Sequence, residues 1–256
     1  MKLYFTPFLF AVLLTTSCDN KRQATEEGIR DFEQSKEALA LKLEESLDSE
    51  DGGGLDTNVI QEHKDAVVAA ADKMGGKLGQ AIKAVSALDS DVMKIVEKLN
   101  EEALKFESML NWQTLKEKND YEDRRKYFVK YKALNQEIID DYAVRPMKAK
   151  KALDIVKLTG KERRGFESGY FKTLKQQTMF INEIRNCDIG ISDSATRVLN
   201  LLEKSGDAWD WDVAQGAPSF EKDEDLSAFN QEMDLFVELG NQQLEAQKKL
   251  VEFMTN

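Results

Sequence analysis

Residues 89–113 read DSDVMKIVEKLNEEALKFESMLNWQ. Within them Val92, Val96, Leu99, Ala103, Phe106, Leu110 and Gln113 fall alternately four and three residues apart, the seven-residue repeat of a helix lying on its neighbours at a shallow angle. A stripe this narrow cannot bury itself, so the spacing that predicts a helix also predicts a bundle around it. The expected fold class is all-α, an elongated antiparallel bundle of long, coiled-coil-like helices.

Helical spacing continues on both sides. Towards the N-terminus, Val59, Val67, Met74, Leu78, Ile82 and Val85 share a stripe, with Gly75-Gly76 as a kink. Before them Ile29, Phe32, Leu39, Leu43 and Leu47 form another, following Thr25 as an N-cap. It ends at Asp48-Ser49-Glu50-Asp51-Gly52-Gly53-Gly54, which reads as a flexible joint. Towards the C-terminus, Tyr121, Phe128, Tyr131, Leu134, Ile138 and Tyr142 predict a helix that stops at Arg145-Pro146, because proline disfavours helix in the residue before it. A resumed stretch with Met147, Leu153 and Val156 weakens at Thr159-Gly160, and another carries Phe166, Tyr170, Leu174, Ile181 and Ile184. A short separate helix capped by Ser192 or Asp193, and a final one from about Asp223 to Met254, complete the series. No stretch predicts a strand. The scarcity of proline, three in 256 residues, permits helices this long.

The N-terminus has a different character. Lys2 precedes an uncharged apolar run, Leu3 to Leu14, too short for a permanent membrane span and suited to a cleaved export signal. The run ends in Leu14-Thr15-Thr16-Ser17-Cys18. This resembles the lipobox of bacterial lipoproteins, with Thr15 where Leu usually stands and Leu14 one place earlier. The resemblance covers the first 18 residues. It implies a signal peptide over 1–17 cut after Ser17, and acylation of Cys18 on its sulfur and its amine. Asp19 after that cysteine resembles an inner-membrane retention signal, which favours the periplasmic face of the inner membrane over the outer membrane. An ordinary signal cut nearby, or an uncleaved apolar start, are the rival readings. Several acyl chains hold far more firmly than one, since each buried CH₂ contributes about 0.8 kcal/mol. The expected organisation is therefore anchor, stalk helix and joint over 18–58, then a bundle domain over 59–256. With Cys18 lipidated, Cys187 is the remaining thiol, and its place among Phe180, Ile181 and Ile184 predicts burial.

Charge narrows the partner classes. The chain has 36 Lys and Arg against 47 Asp and Glu, a net of −11, which argues against nucleic acid. Residues 116–164 depart from this, with 15 Lys and Arg against 9 Asp and Glu, a net of +6. Arg124, Arg125, Lys126, Lys130, Lys132, Lys148, Lys150 and Lys151 in this island form a candidate surface for anionic headgroups, cell-wall carboxylates or an acidic partner. The plainer reading is that they neutralise the acidic flanks inside one bundle. Trp209 and Trp211, set among Asp207, Asp210 and Asp212, read as a recognition loop or as a plug over the bundle end; the spacing lacks the turn glycine and terminal glutamate of an EF-hand.

Little else points to chemistry. His63 is the sole histidine, so a His-ligated metal and a Ser-His-Asp or Cys-His device would each rest on it alone; it reads as a helix-face residue. The pairs Glu101-Glu102 and Asp140-Asp141 read as solvated faces. Phosphate-loop, dinucleotide and nucleophile-elbow motifs are missing. The expectation is a non-enzymatic, membrane-anchored periplasmic lipoprotein, binding or scaffolding in the cell envelope, with a protein or cell-wall partner and without cofactor, metal or nucleic acid. An inhibitor or immunity lipoprotein that neutralises a toxin or lysin, or a bundle holding an apolar ligand, are the alternatives. In plan the chain is similar to all-helical lipoproteins of Gram-negative bacteria, a likeness that implies no functional residue.

Overall fold

The computed structural model describes residues 22–48 and 57–255. The lipobox and the glycine-rich joint lie outside the described residues. The protein is an all-α bundle. Its helices are α1 (Arg22–Asp48), α2 (Thr57–Met74), α3 (Gly76–Ser86), α4 (Asp89–Ala103), α5 (Phe106–Leu110), α6 (Lys118–Val156), α7 (Gly160–Ser205) and α8 (Asp223–Thr255). A two-stranded hairpin, β1 (Trp209–Asp212) with β2 (Ala217–Phe220), joins α7 to α8. Each long helix packs on the next: α6 on α7, α7 on α8, α8 on α1, α1 on α2, α2 on α3, and α3 back on α6. That ring encloses one core. Helix α7, with 46 residues, runs about 69 Å at 1.5 Å per residue, which sets the long dimension.

Helix α1, expected as a stalk, lies along α2 and α8 and contributes Phe32, Leu39 and Ala40 to the common core. Two glycines shape this end, one by a close approach and one by its backbone conformation. A Cβ at Gly79 would fall 2.0 Å from the Ala71 carbonyl oxygen, and Gly75 holds φ +63 where α2 gives way to α3.

Four local expectations are corrected. The repeat over 89–113 is broken at Leu104-Lys105, after which α5 restarts with Phe106 fully buried. Side chains of α6 donate to backbone carbonyls of both helices: Tyr127 Oη to Glu102 O in α4 at 2.7 Å and Arg124 Nη1 to Met109 O in α5 at 3.1 Å. Phe106 then packs against Tyr127, Phe128 and Tyr131 with ring centroids 5.2–6.2 Å apart.

Pro146 does not end its helix. Without an N–H it gives nothing to the Tyr142 carbonyl, yet α6 continues to Val156, pinned before the proline by the ion pairs of Arg145 and after it by buried Ala149 and Leu153. The helix ends at Lys157, in a left-handed conformation with φ 56.

The stretch around Ser192 is the middle of α7 rather than the start of a new helix. Ser192 Oγ donates to Asp188 O at 2.9 Å inside the helix, and Gly190 makes room for Leu239 of α8. The polar run continues the buried stripe because its members have partners. Finally, the tryptophan segment is a hairpin. Trp209 pairs with Phe220 and Trp211 with Pro218, so these four share one face, while Asp210 and Ser219 share the other. The alternation Trp-Asp-Trp-Asp is a period-two strand signal.

Candidate functional site

Two polar layers are built into the core. In the first, the Arg145 side chain is 0% exposed. It bonds Asp89 of α4 and, through Nη2 at 2.6 Å, Asp141 one turn earlier in α6. Its guanidinium lies 4.2 Å from the Tyr142 ring centroid. Lys148 Nζ approaches the other Asp141 oxygen at 2.7 Å. Burial pushes the Asp89 carboxyl up to about 7 against the pull of Arg145. Asp141 is held below the usual carboxylate range, its desolvation outweighed by the bonds from Lys148 and Arg145.

In the second layer, Arg185 of α7 donates to Asn135 Oδ1 of α6 at 3.1 Å and faces Asp188 at 3.1 Å, while Gln243 of α8 donates to the same Asp188 at 2.7 Å. Burial raises Asp188 to about 6, opposed by Arg185, Gln243 and Tyr131. These layers tie helices together. Each carboxylate has a cationic neighbour, as buried charge requires.

Most of the cationic island is occupied. Arg124 is buried, bonded to Met109 O and Thr114 Oγ1, with its guanidinium 5.8 Å from the Trp112 centroid. Arg125 bonds Asn200 and Glu203 of α7, and Lys126 bonds Asp123. Lys130 reaches Glu102, Lys132 reaches Asp193 and Lys148 reaches Asp141, each at 2.7 Å. Glu102 and Asp141 are therefore not solvated faces: the carboxylate side chains are 7% and 8% exposed. Lys150 and Lys151 are exposed and have no carboxylate within ion-pair reach among the described residues.

Trp209 and Trp211 are half-buried against the core, as is Tyr121. Phe220, on the same hairpin face, lies 5.9 Å from Phe229. Asp212 closes the tip by accepting from the backbone of Ala214 and Gln215, which leaves Val213 exposed.

His63 sits inside the α1–α2 interface rather than on an outer face. Its Nδ1 donates to Ser35 O at 3.0 Å, and burial lowers its pKa to about 4. Cys187 is buried, with its thiol pushed up to about 11 by desolvation. Among the described residues, no three His, Cys, Asp or Glu side chains are grouped to hold a metal.

A groove of about 480 Å³ lies between α6 and α7, lined by Tyr142, Ala143, Pro146, Lys150, Phe171, Leu174, Lys175 and Thr178. Its floor is the buried Tyr142 and Leu174, and the Lys150 ammonium stands 5.6 Å over the Phe171 ring. Sequence reasoning took Lys150 as surface charge and missed the rest of the groove. The available signal was the pairing of Tyr142, Pro146 and Lys150 at helical spacing with Phe171, Leu174 and Lys175.

Comparison with protein-family models, curated proteins and solved structures gives no match.

Proposed function

We propose that this chain is a lipoprotein, held by acylated Cys18 on the periplasmic face of a membrane, and that it acts without catalysis as a binding or scaffold protein of the cell envelope. The observation that carries the reading is the sequence Leu14-Thr15-Thr16-Ser17-Cys18 at the end of an uncharged apolar run. Two features of the body support it. Three carboxylates with displaced pKa values, Asp89, Asp141 and Asp188, are spent in ion pairs that join or brace helices. Arg124, Arg125, Lys130 and Lys132 of the cationic island are likewise used between α6 and its neighbours, which suits a stiff body presented at a surface. No helix among the described residues is long and apolar enough to cross a membrane, so stable attachment falls to the lipid.

The test is the chemistry of residue 18. Mass spectrometry of the mature N-terminal peptide is expected to find Cys18 as the first residue, carrying acyl chains on sulfur and nitrogen. Cys18→Ser is expected to abolish that modification and the processing that depends on it. An unmodified sulfur at Cys18, or recovery of the wild-type chain from the cytosol, overturns the proposal.

A further inference from the structure

The groove between α6 and α7 combines an apolar trough with unneutralised positive charge at its rim. Tyr142, Pro146, Phe171 and Leu174 supply the apolar wall, and Lys150 and Lys175 the charge. Of the neighbouring cations, Lys148 is engaged by Asp141 and Arg163 by Asp154 and Glu167, while Lys151, like Lys150, is exposed without a carboxylate in reach among the described residues. Lys150 and Lys175 have no carboxylate within ion-pair reach among the described residues, and Lys150 instead faces a ring. The surrounding segment, residues 147–175, holds nine Lys and Arg against three Asp and Glu, a net of +6 in a chain of net −11. This concentrates positive potential on one hairpin of the bundle. Next in sequence to Pro146 and Thr178 stand Met147 and Met179, both more than half exposed, the adaptable kind of side chain that lines sites for flexible apolar ligands.

A volume of about 480 Å³ is that of a small-ligand pocket. A purely apolar ligand would leave both ammonium groups unmatched, and a small hydrophilic anion would leave the trough unfilled. The geometry points to a single-chain anionic amphiphile, a long-chain carboxylate, with its acyl chain against Tyr142, Phe171 and Leu174 and its carboxylate between Lys150 and Lys175. This goes beyond envelope binding or scaffolding and does not depend on the state of Cys18, so either can fail alone.

The experiment uses the full chain purified in a neutral detergent and a hexadecanoic acid carrying a photoactivatable group along its chain. Labelling is expected to saturate and to map to peptides containing residues 142–150 and 171–178. Lys150→Glu with Lys175→Glu is expected to weaken it at least about tenfold, as loss and reversal of two charge contacts requires. Ala143→Trp, at an exposed wall position, is expected to block the groove while both lysines remain. Circular dichroism and the unfolding midpoint establish that both variants keep the wild-type fold. Unlabelled hexadecanoate should compete at least about tenfold better than its methyl ester.

Labelling that maps elsewhere, survives both variants, or is competed equally by the ester overturns the assignment. If photoactivatable phosphatidylglycerol labels these peptides at lower concentration than the single-chain acid, the site reads a bilayer headgroup and the single-chain assignment falls.

Discussion

Replacing Arg145 with Met isolates what the first polar layer does. The side chain is 0% exposed and faces two carboxylates, Asp89 at 0% and Asp141 at 8%. Methionine fills a similar volume, so little packing is lost, but Asp89 remains in the core without its cation. Breaking a buried pair from one side costs about 3–5 kcal/mol, because the stranded charge keeps its desolvation penalty. The cost should depend on pH with a definite sign. Burial raises Asp89 to about 7 in the folded protein, above its ordinary 3.8. Between these values the folded state binds the extra proton, so the contribution of this group to stability rises as pH falls from 7 towards 3.8. Removing Arg145 removes the pull that opposes this shift. The loss in urea unfolding free energy should therefore be greatest near about pH 8 and smaller near about pH 5, where a protonated Asp89 is no longer a lone charge. Asp89→Asn in the Arg145→Met background should restore about 2 kcal/mol or more near about pH 8. A single-variant loss below about 1 kcal/mol, or a loss equal at both pH values, would refute the account of this layer as a mutually dependent buried pair.

His63 makes the opposite prediction over an overlapping range. Its folded pKa of about 4 lies below the ordinary 6.5, so the unfolded chain takes up the proton first and stability from this site is lost as pH falls from 6.5 through 4. The shift corresponds to about 3 kcal/mol, and His63→Leu should remove that part of the pH slope when unfolding midpoints are compared with wild type. Gly79→Ala should lower stability by about 1–3 kcal/mol in thermal melts, since the added Cβ meets the Ala71 carbonyl and backbone must move; an unchanged melting temperature would count against the close α2–α3 approach.

The all-α bundle was legible because apolar spacing survives wherever packing is apolar. Phe166, Tyr170, Leu174, Ile181 and Ile184 reappear in order along the buried face of α7. Legibility failed where the buried stripe turns polar. Arg185, Asp188 and Ser192 look like the end of a helix until their partners Asn135 and Gln243 are known, and those lie 50 and 55 residues away along the chain. Pro146 misled for a related reason: a local penalty was overridden by Arg145 on one side and Leu153 on the other. The pair Leu104-Lys105 carries no breaking residue, and the interruption there is accompanied by donation from another helix, Tyr127 to Glu102 O before it and Arg124 to Met109 O after it. The hairpin was missed although its signal is local: Trp209-Asp210-Trp211-Asp212 alternates aromatic and acidic residues, and was read as a loop. Of the groove, Lys150 was visible as one cation of the basic island, but the wall that gives it a role exists only once α6 and α7 lie side by side.

The layer of Arg185, Asp188, Asn135 and Gln243 has a mechanical consequence. A bundle joined by interchangeable leucines can creep, with one rod sliding a turn past the next and finding comparable contacts. Here a displacement of one turn, about 5.4 Å, would strip Arg185 of Asn135 and Asp188 of Gln243, leaving a buried ion pair without the hydrogen bonds that satisfy it. Helices α6, α7 and α8 are keyed at a single axial setting, so a force applied at one end of the 46-residue α7 reaches the other with little slippage between the rods.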